Sequence, residues 1–174
     1  MKWNDGSLIA NKNSLSIIEE EWDVVLPTSF SKIISHNNNG YSDLPVFDTD
    51  KNQRMFSGFL NFDIGTKYDV LNTYQDIKDR LPRKVFPFGF DPFGNFLCFN
   101  YNEKKTNPKI VFWHHEYYIK DENENYDIEL VENSFEEFIG KLYKIDKEPM
   151  ETDKEKEDFW NKLINDRKRE EGLL

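Results

Sequence analysis

Residues 85–118 read VFPFGFDPFGNFLCFNYNEKKTNPKIVFWHHEYY, and this stretch decides the fold. Two aromatic runs flank Asp91-Pro92-Phe93-Gly94, whose residues suit a type I turn. Asp accepts a hydrogen bond at the first corner, Pro92 presets φ at the second, and Gly94 closes the turn. A third aromatic run follows Asn107-Pro108 and ends in His114-His115-Glu116. Three such runs predict strands at the centre of a sheet. Side chains alternate across a strand. On the third strand this puts Val111, Trp113, His115, Tyr117 and Ile119 on one mostly apolar face. Ile110, Phe112, His114, Glu116 and Tyr118 fall on the other.

Helical spacing surrounds this centre. SLSIIEEEW at residues 14–22 places Leu15, Ile18 and Trp22 on one face. Leu26-Pro27-Thr28 breaks the chain, and Thr28 is expected to cap a second helix with Phe30, Ile33 and Ile34 inward. That helix ends at Asn37-Asn38-Asn39-Gly40, where Asn and Gly accept left-handed backbone. Short apolar pieces between Val46 and Phe62 read as strands around a polar turn at Asp50-Lys51-Asn52. Tyr68 to Leu81 returns to helical spacing through Leu71, Tyr74, Ile77 and Leu81, and Pro82 ends it. Ser134 and Glu137 form a capping box ahead of Phe135, Phe138, Ile139 and Leu142. The expected organisation is a domain over 1–145 and a charged helical extension over 146–174. In the extension, Thr152 and Glu155 form a second capping box before Phe159, Trp160, Leu163 and Ile164.

A length of 174 residues suits one domain with an appendage, and 16% aromatic content, including 15 Phe, supplies a real core. The net charge of −10 argues against direct binding of nucleic acid, which asks for a basic patch. MKWNDGSLIAN lacks the apolar centre of a signal peptide, and no run has transmembrane length. A cytoplasmic protein without a membrane partner is therefore expected. The single cysteine, Cys98 in FLCFNY, reads as a buried reduced thiol.

The sequence offers no catalytic apparatus. His114 and Glu116 share a strand face, but a zinc site needs three or four ligands and HHE lacks the HExxH spacing. The expected role of His115 is a hydrogen bond within a packed face, with Glu116 near the sheet margin. No phosphate-binding loop or nucleophile triad is present. No metal or cofactor is expected, and the protein is read as non-enzymatic.

Charge is more telling. Residues 120–137 hold eight acids and one lysine, and residues from 146 onward hold ten acids and seven bases. The net charge elsewhere is zero, so acidity concentrates between the last aromatic strand and the Ser134 helix. An acidic ridge steers basic partners. The candidate partner-binding residues are Asp121, Glu122, Glu124, Asp127 and Glu129, with Tyr117, Tyr118 and Tyr126 as aromatic anchors.

The order of features resembles the SUKH superfamily, in the branch typified by a fungal cell-wall-assembly regulator and many bacterial immunity proteins. The matching pieces run from Leu15 to Tyr143. They are the Glu-rich helix, Leu26-Pro27 with Phe30, Asn39-Gly40, FPFGFDPFGNFLCFNY, NPKIVFW with His115-Glu116 behind it, and SFEEFI before Leu142. The resemblance implies an α+β fold with a curved, mostly antiparallel sheet and helices packed against it, plus the C-terminal helical extension. It also implies a cytoplasmic immunity protein that neutralises a cognate polymorphic toxin, often a nuclease, by binding. The alternative is a regulatory or scaffold module acting through the C-terminal helix.

Overall fold

In chain order the elements are β1 (Trp3–Asn4), α1 (Ser14–Trp22), α2 (Thr28–Ile34), β2 (Tyr41–Ser42), β3 (Val46–Asp48), β4 (Gln53–Met55), β5 (Gly58–Phe59), α3 (Val70–Ile77), β6 (Val85–Phe90), β7 (Phe96–Asn100), β8 (Lys109–Trp113), β9 (Ile128–Glu132) and α4 (Phe135–Lys141). The computed structural model describes residues 1–116, 128–144 and Asn161. The chain divides into Met1–Lys144 and Ile145–Leu174. The fold below is that of the first unit. In the second only Asn161 is described, helical and exposed. The Thr152 capping box and the stripe from Phe159 to Ile164 lie outside the described residues.

The three aromatic runs form the middle of a five-stranded antiparallel sheet ordered β5-β6-β7-β8-β9, and β1-β2 and β3-β4 form two small sheets. The class is α+β, as expected. Strand alternation delivers apolar groups to both faces. Phe86, Phe88, Leu97, Phe99, Ile110, Phe112 and Val131 enter the main core with Ile18 and Trp22 of α1, Phe30 and Ile34 of α2, and Phe135 and Phe138 of α4. On the opposite face Val85, Cys98, Val111 and Trp113 cluster with Ile77 and Leu81. Phe30 is fully buried and meets five rings, those of Phe59, Phe62, Phe88, Phe99 and Phe135, at centroid distances from 4.9 to 6.0 Å.

Two bulges bend the sheet. Pro87 opposes Cys98 but Gly89 opposes Leu97, so Phe88 is an extra residue on β6. A Cβ on Gly89 would lie 2.6 Å from Phe56 Cε2, so this bend needs glycine for the Phe56 ring to close over the strand. The second bulge lies between Ile110 and Val111 and leaves Val131 extra on β9. The Asp91 turn joins β6 to β7 with Gly94 at φ +85° and a Gly94 N–H bond to Asp91 O at 3.3 Å.

Helix bounds depart from the spacing in α3 and at both ends of α2, which stops at Ile34 rather than at Asn37. The helix expected from Tyr68 to Leu81 runs only over Val70–Ile77. Asp69 caps it, accepting from the Asn72 amide at 3.0 Å, which leaves Tyr68 outside and 73% exposed. Beyond Ile77, turn bonds from Arg80 N to Ile77 O and from Leu81 N to Lys78 O still carry Leu81 into the core. At α2 the cap position falls to Pro27, which offers no side-chain acceptor, and Thr28 becomes the first helical residue. Its approach is held instead by Glu19, whose carboxylate accepts from the Leu26 amide at 2.8 Å. The Ser134 cap forms as expected, its hydroxyl accepting from the Glu137 amide at 3.2 Å.

Removing the Phe30 ring leaves a cavity among five aromatic neighbours. Phe30→Ala should cost about 3–5 kcal/mol, whereas Tyr68→Ser should stay within about 0.5 kcal/mol. Urea denaturation midpoints of the two variants check both values.

Candidate functional site

Strand β8 ends at Trp113 and β9 begins at Ile128, and the two pair directly, Trp113 opposite Ile128 and Phe112 opposite Glu129. The acidic stretch therefore leaves and rejoins the sheet at one end. Tyr117, Tyr118, Asp121, Glu122, Glu124, Tyr126 and Asp127 lie outside the described residues. Glu129 and the residues that hold both feet of the stretch are described, and they form two polar clusters.

The first cluster surrounds Glu129. Its side chain is 3% exposed and meets Arg54 of β4, which is 14% exposed. Arg54 donates to the carboxylate from Nη2 at 2.6 Å and from Nε at 3.1 Å, a forked geometry that favours charge pairing. Thr49 Oγ1 donates at 2.7 Å and Asn52 Nδ2 at 3.3 Å. His114 Nε2 lies 3.2 Å from Oε1 and 3.4 Å from Arg54 Nη2. Nε2 thus sits between the Glu129 carboxylate, which can only accept, and the Arg54 guanidinium, which can only donate. The Arg54 guanidinium also stacks 5.2 Å from the Phe112 ring centre. Burial pushes the Glu129 carboxyl up, but the hydrogen bonds from His114, Arg54 and Thr49 and the Arg54 charge outweigh it, and the group is held well below the ordinary value of 4.5.

The same hairpin turn closes the outer edge of β9. Asp50 N–H donates to Leu130 O at 2.8 Å, and Leu130 N–H donates to Asp50 Oδ1 at 3.0 Å. These bonds occupy both backbone groups of Leu130 on that edge, where an added strand would otherwise pair.

The second cluster fixes the other foot. Asp91 and Asn95 are buried at the β6–β7 turn. Asp91 Oδ1 accepts from the amides of Phe93 and Asn95, both at 2.8 Å, and Oδ2 accepts from Asn95 Nδ2 at 2.8 Å. Asn95 Oδ1 accepts from the His115 amide at 3.2 Å and contacts His115 Nδ1 at 3.0 Å. Arg80 Nη1 donates to His115 O at 3.0 Å, with its guanidinium 5.6 Å from the Trp113 ring centre. His115 makes the hydrogen bonds expected of it, but from beyond the strand end and 30% exposed rather than within a packed face.

Glu129 differs from its expected place on the ridge. It faces the same side as Phe112, so β9 turns its acid inward while Leu130 is 37% exposed. Glu132 is also paired internally, with Lys141 at 2.6 Å. The acids left for a partner within residues 117–127 are Asp121, Glu122, Glu124 and Asp127, set against Lys120. Sequence reading missed Arg54. Its one signal was a lone arginine between Gln53 and Met55 in a short strand-like piece. His114 and Glu116, expected on one face, separate because the strand ends at Trp113. His114 turns to Glu129, and Glu116 is 53% exposed. Among the described residues no three metal-ligating groups converge. Cys98 is buried as expected, and burial pushes its thiol up.

Arg54→Met strands a buried carboxylate and should cost about 3–5 kcal/mol, read as a lower denaturation midpoint at pH 7. Because the folded value of Glu129 is depressed, its contribution is complete above the unfolded value of 4.5 and is lost as pH falls below it. Glu129→Gln should therefore flatten the acid limb of stability against pH below 4.5. An unchanged slope would remove Glu129 from acid unfolding.

The model of the SMI1 / KNR4 family (SUKH-1) matches residues 9–141, a span that includes the whole five-stranded sheet and all four described helices. The chain is also 38% identical over 100 residues to the SPbeta prophage-derived uncharacterized protein YokK of Bacillus subtilis (strain 168). That alignment covers 58% of this chain and 44% of the relative, so the chain matches less than half of that protein's length. With the match extending across the sheet, the packed helices and both clusters, the chain belongs to the SMI1 / KNR4 family (SUKH-1).

Proposed function

We propose that the protein is a cytoplasmic immunity protein that binds a cognate polymorphic toxin, a nuclease with a basic active surface, and occludes it without catalysing a reaction. Membership of the SMI1 / KNR4 family (SUKH-1) carries this reading, because an immunity role is what the family resemblance implies. The prophage origin of the Bacillus relative fits a gene that travels with mobile, competing elements. Binding rather than catalysis is supported by the state of the reactive groups. Cys98 is fully buried, while His114, His115 and Glu129 are engaged in internal hydrogen bonds. No described helix is long and apolar enough to cross a membrane.

The acids of residues 117–127 are the proposed contact with the toxin. Four carboxylates against one lysine oppose a groove built for phosphates. Tyr117, Tyr118 and Tyr126 are the proposed aromatic contacts within the same run.

Co-expression with the toxin domain encoded beside this gene should restore growth and yield a complex that co-purifies. Absence of both rescue and complex would overturn the immunity reading. Truncation after Ile145 should preserve rescue, whereas loss of binding would favour the regulatory module acting through residues 146–174. Reversing Asp121, Glu122 and Glu124 to Lys should slow association about tenfold or more at low salt without lowering the melting temperature. Unchanged association kinetics would remove the acidic run from the interface.

A further inference from the structure

We infer that Nε2 of His115 and the carboxylate of Glu116 together receive one cationic nitrogen group of the partner, a lysine ammonium or an arginine guanidinium. The inference rests on the immunity reading and names the chemistry of one contact at its interface.

The tautomer of His115 is set by a chain of hydrogen bonds that begins in the core. Asp91 and Asn95 are both buried. A carboxylate only accepts, so the group that meets Asp91 Oδ2 at 2.8 Å is the Asn95 NH2, and the amide orientation is fixed. Asn95 Oδ1 is thereby turned to His115, where it accepts from the backbone amide at 3.2 Å and lies 3.0 Å from Nδ1. An amide oxygen also only accepts, so Nδ1 carries the proton. In the neutral ring the lone pair then belongs to Nε2.

The ring is also held in place. Its Cε1, Nδ1 and Nε2 atoms lie 3.6, 3.8 and 3.9 Å from where a Cβ on Gly94 would stand, so it rests across the glycine of the turn. Arg80 Nη1 holds the His115 carbonyl at 3.0 Å. Nε2 lies 3.8 Å from Glu116 Oε1, beyond hydrogen-bond reach. The two side chains are 30% and 53% exposed, so this pair of acceptors stands at the surface. A carboxylate has lone pairs for several donors, and Glu116 can take a further one beside its other contacts. Two neighbouring acceptors, one of them anionic, select a cationic donor, because charge-assisted bonds are the stronger ones and an anion is repelled. Lysine offers three N–H groups and arginine five, enough for one side chain to reach both atoms. A site ordered in advance also loses less entropy on binding.

Two readouts test this, the first on the full chain alone. Long-range proton–nitrogen correlation spectra at about pH 8, where imidazole is ordinarily neutral, should place the His115 proton on Nδ1. A proton on Nε2 would overturn the inference. The second readout is the dissociation rate, with the toxin domain encoded beside this gene as the probe. His115→Asn keeps an N–H for Asn95 Oδ1 but removes the Nε2 acceptor, so the complex should dissociate about tenfold faster at an unchanged melting temperature. Glu116→Gln, at an exposed position, should act in the same direction and replaces the first variant should that one fail to fold. Because one cation meets both atoms, the double variant should lose less than the product of the two single effects. Effects that simply multiply, or a wild-type dissociation rate in either folded variant, would overturn the shared cation. Slower association on reversing Asp121, Glu122 and Glu124, with His115→Asn and Glu116→Gln at wild-type rates, would overturn it while leaving the immunity reading standing. Absence of any complex would overturn both.

Discussion

A sheet whose strands carry large apolar groups on both faces must be covered on both, and that requirement organises this molecule. Phe86, Phe88, Phe99 and Phe112 on one face are covered by α1, α2 and α4, with Phe30 wedged among five rings. Val85, Cys98, Val111 and Trp113 on the other meet the last turn of α3 and Leu81. The two faces differ in size, phenylalanine-rich on one and mostly smaller on the other, so a slip of one residue would misfit both cores. The bulges at Phe88 and Val131 accommodate the bend this packing demands.

The Arg54–Glu129 pair shows how the end of that sheet is held. A carboxylate beside the Phe112 ring is unfavourable alone, and the forked guanidinium, His114, Thr49 and Asn52 together satisfy it. The pair ties the β3–β4 hairpin, the end of β8 and the start of β9 into one unit. Asp50 closes the outer edge of β9 from the same hairpin. Buried polar networks of this kind favour one arrangement over its competitors, since a partly satisfied network is costly. Here the arrangement fixed is the one from which the acidic run departs and to which it returns.

Both ends of the acidic run are held by polar groups of the sheet. Asp91, Asn95, His115 and Arg80 make one foot rigid, and Arg54, Glu129 and His114 make the other. The charge between the feet is then set by residues 120–127.

The strands around Asp91-Pro92-Phe93-Gly94, the main helices, the alternation through Trp113 and the burial of Cys98 were legible in the amino-acid sequence. These follow from local chemistry: period-2 and period-3.6 patterns, a proline–glycine turn and a serine cap. It also placed the excess acid, because charge is counted from composition. It did not reveal that Glu129 turns inward, that Arg54 from a hairpin 75 residues away in sequence neutralises it, or that Pro27 displaces Thr28 from the cap. Nor did it reveal the hydrogen bonds that run from Asp91 through Asn95 to His115, which exist only once the β6–β7 turn meets the end of β8. Each of these depends on which distant group arrives beside a side chain, and only tertiary packing decides that.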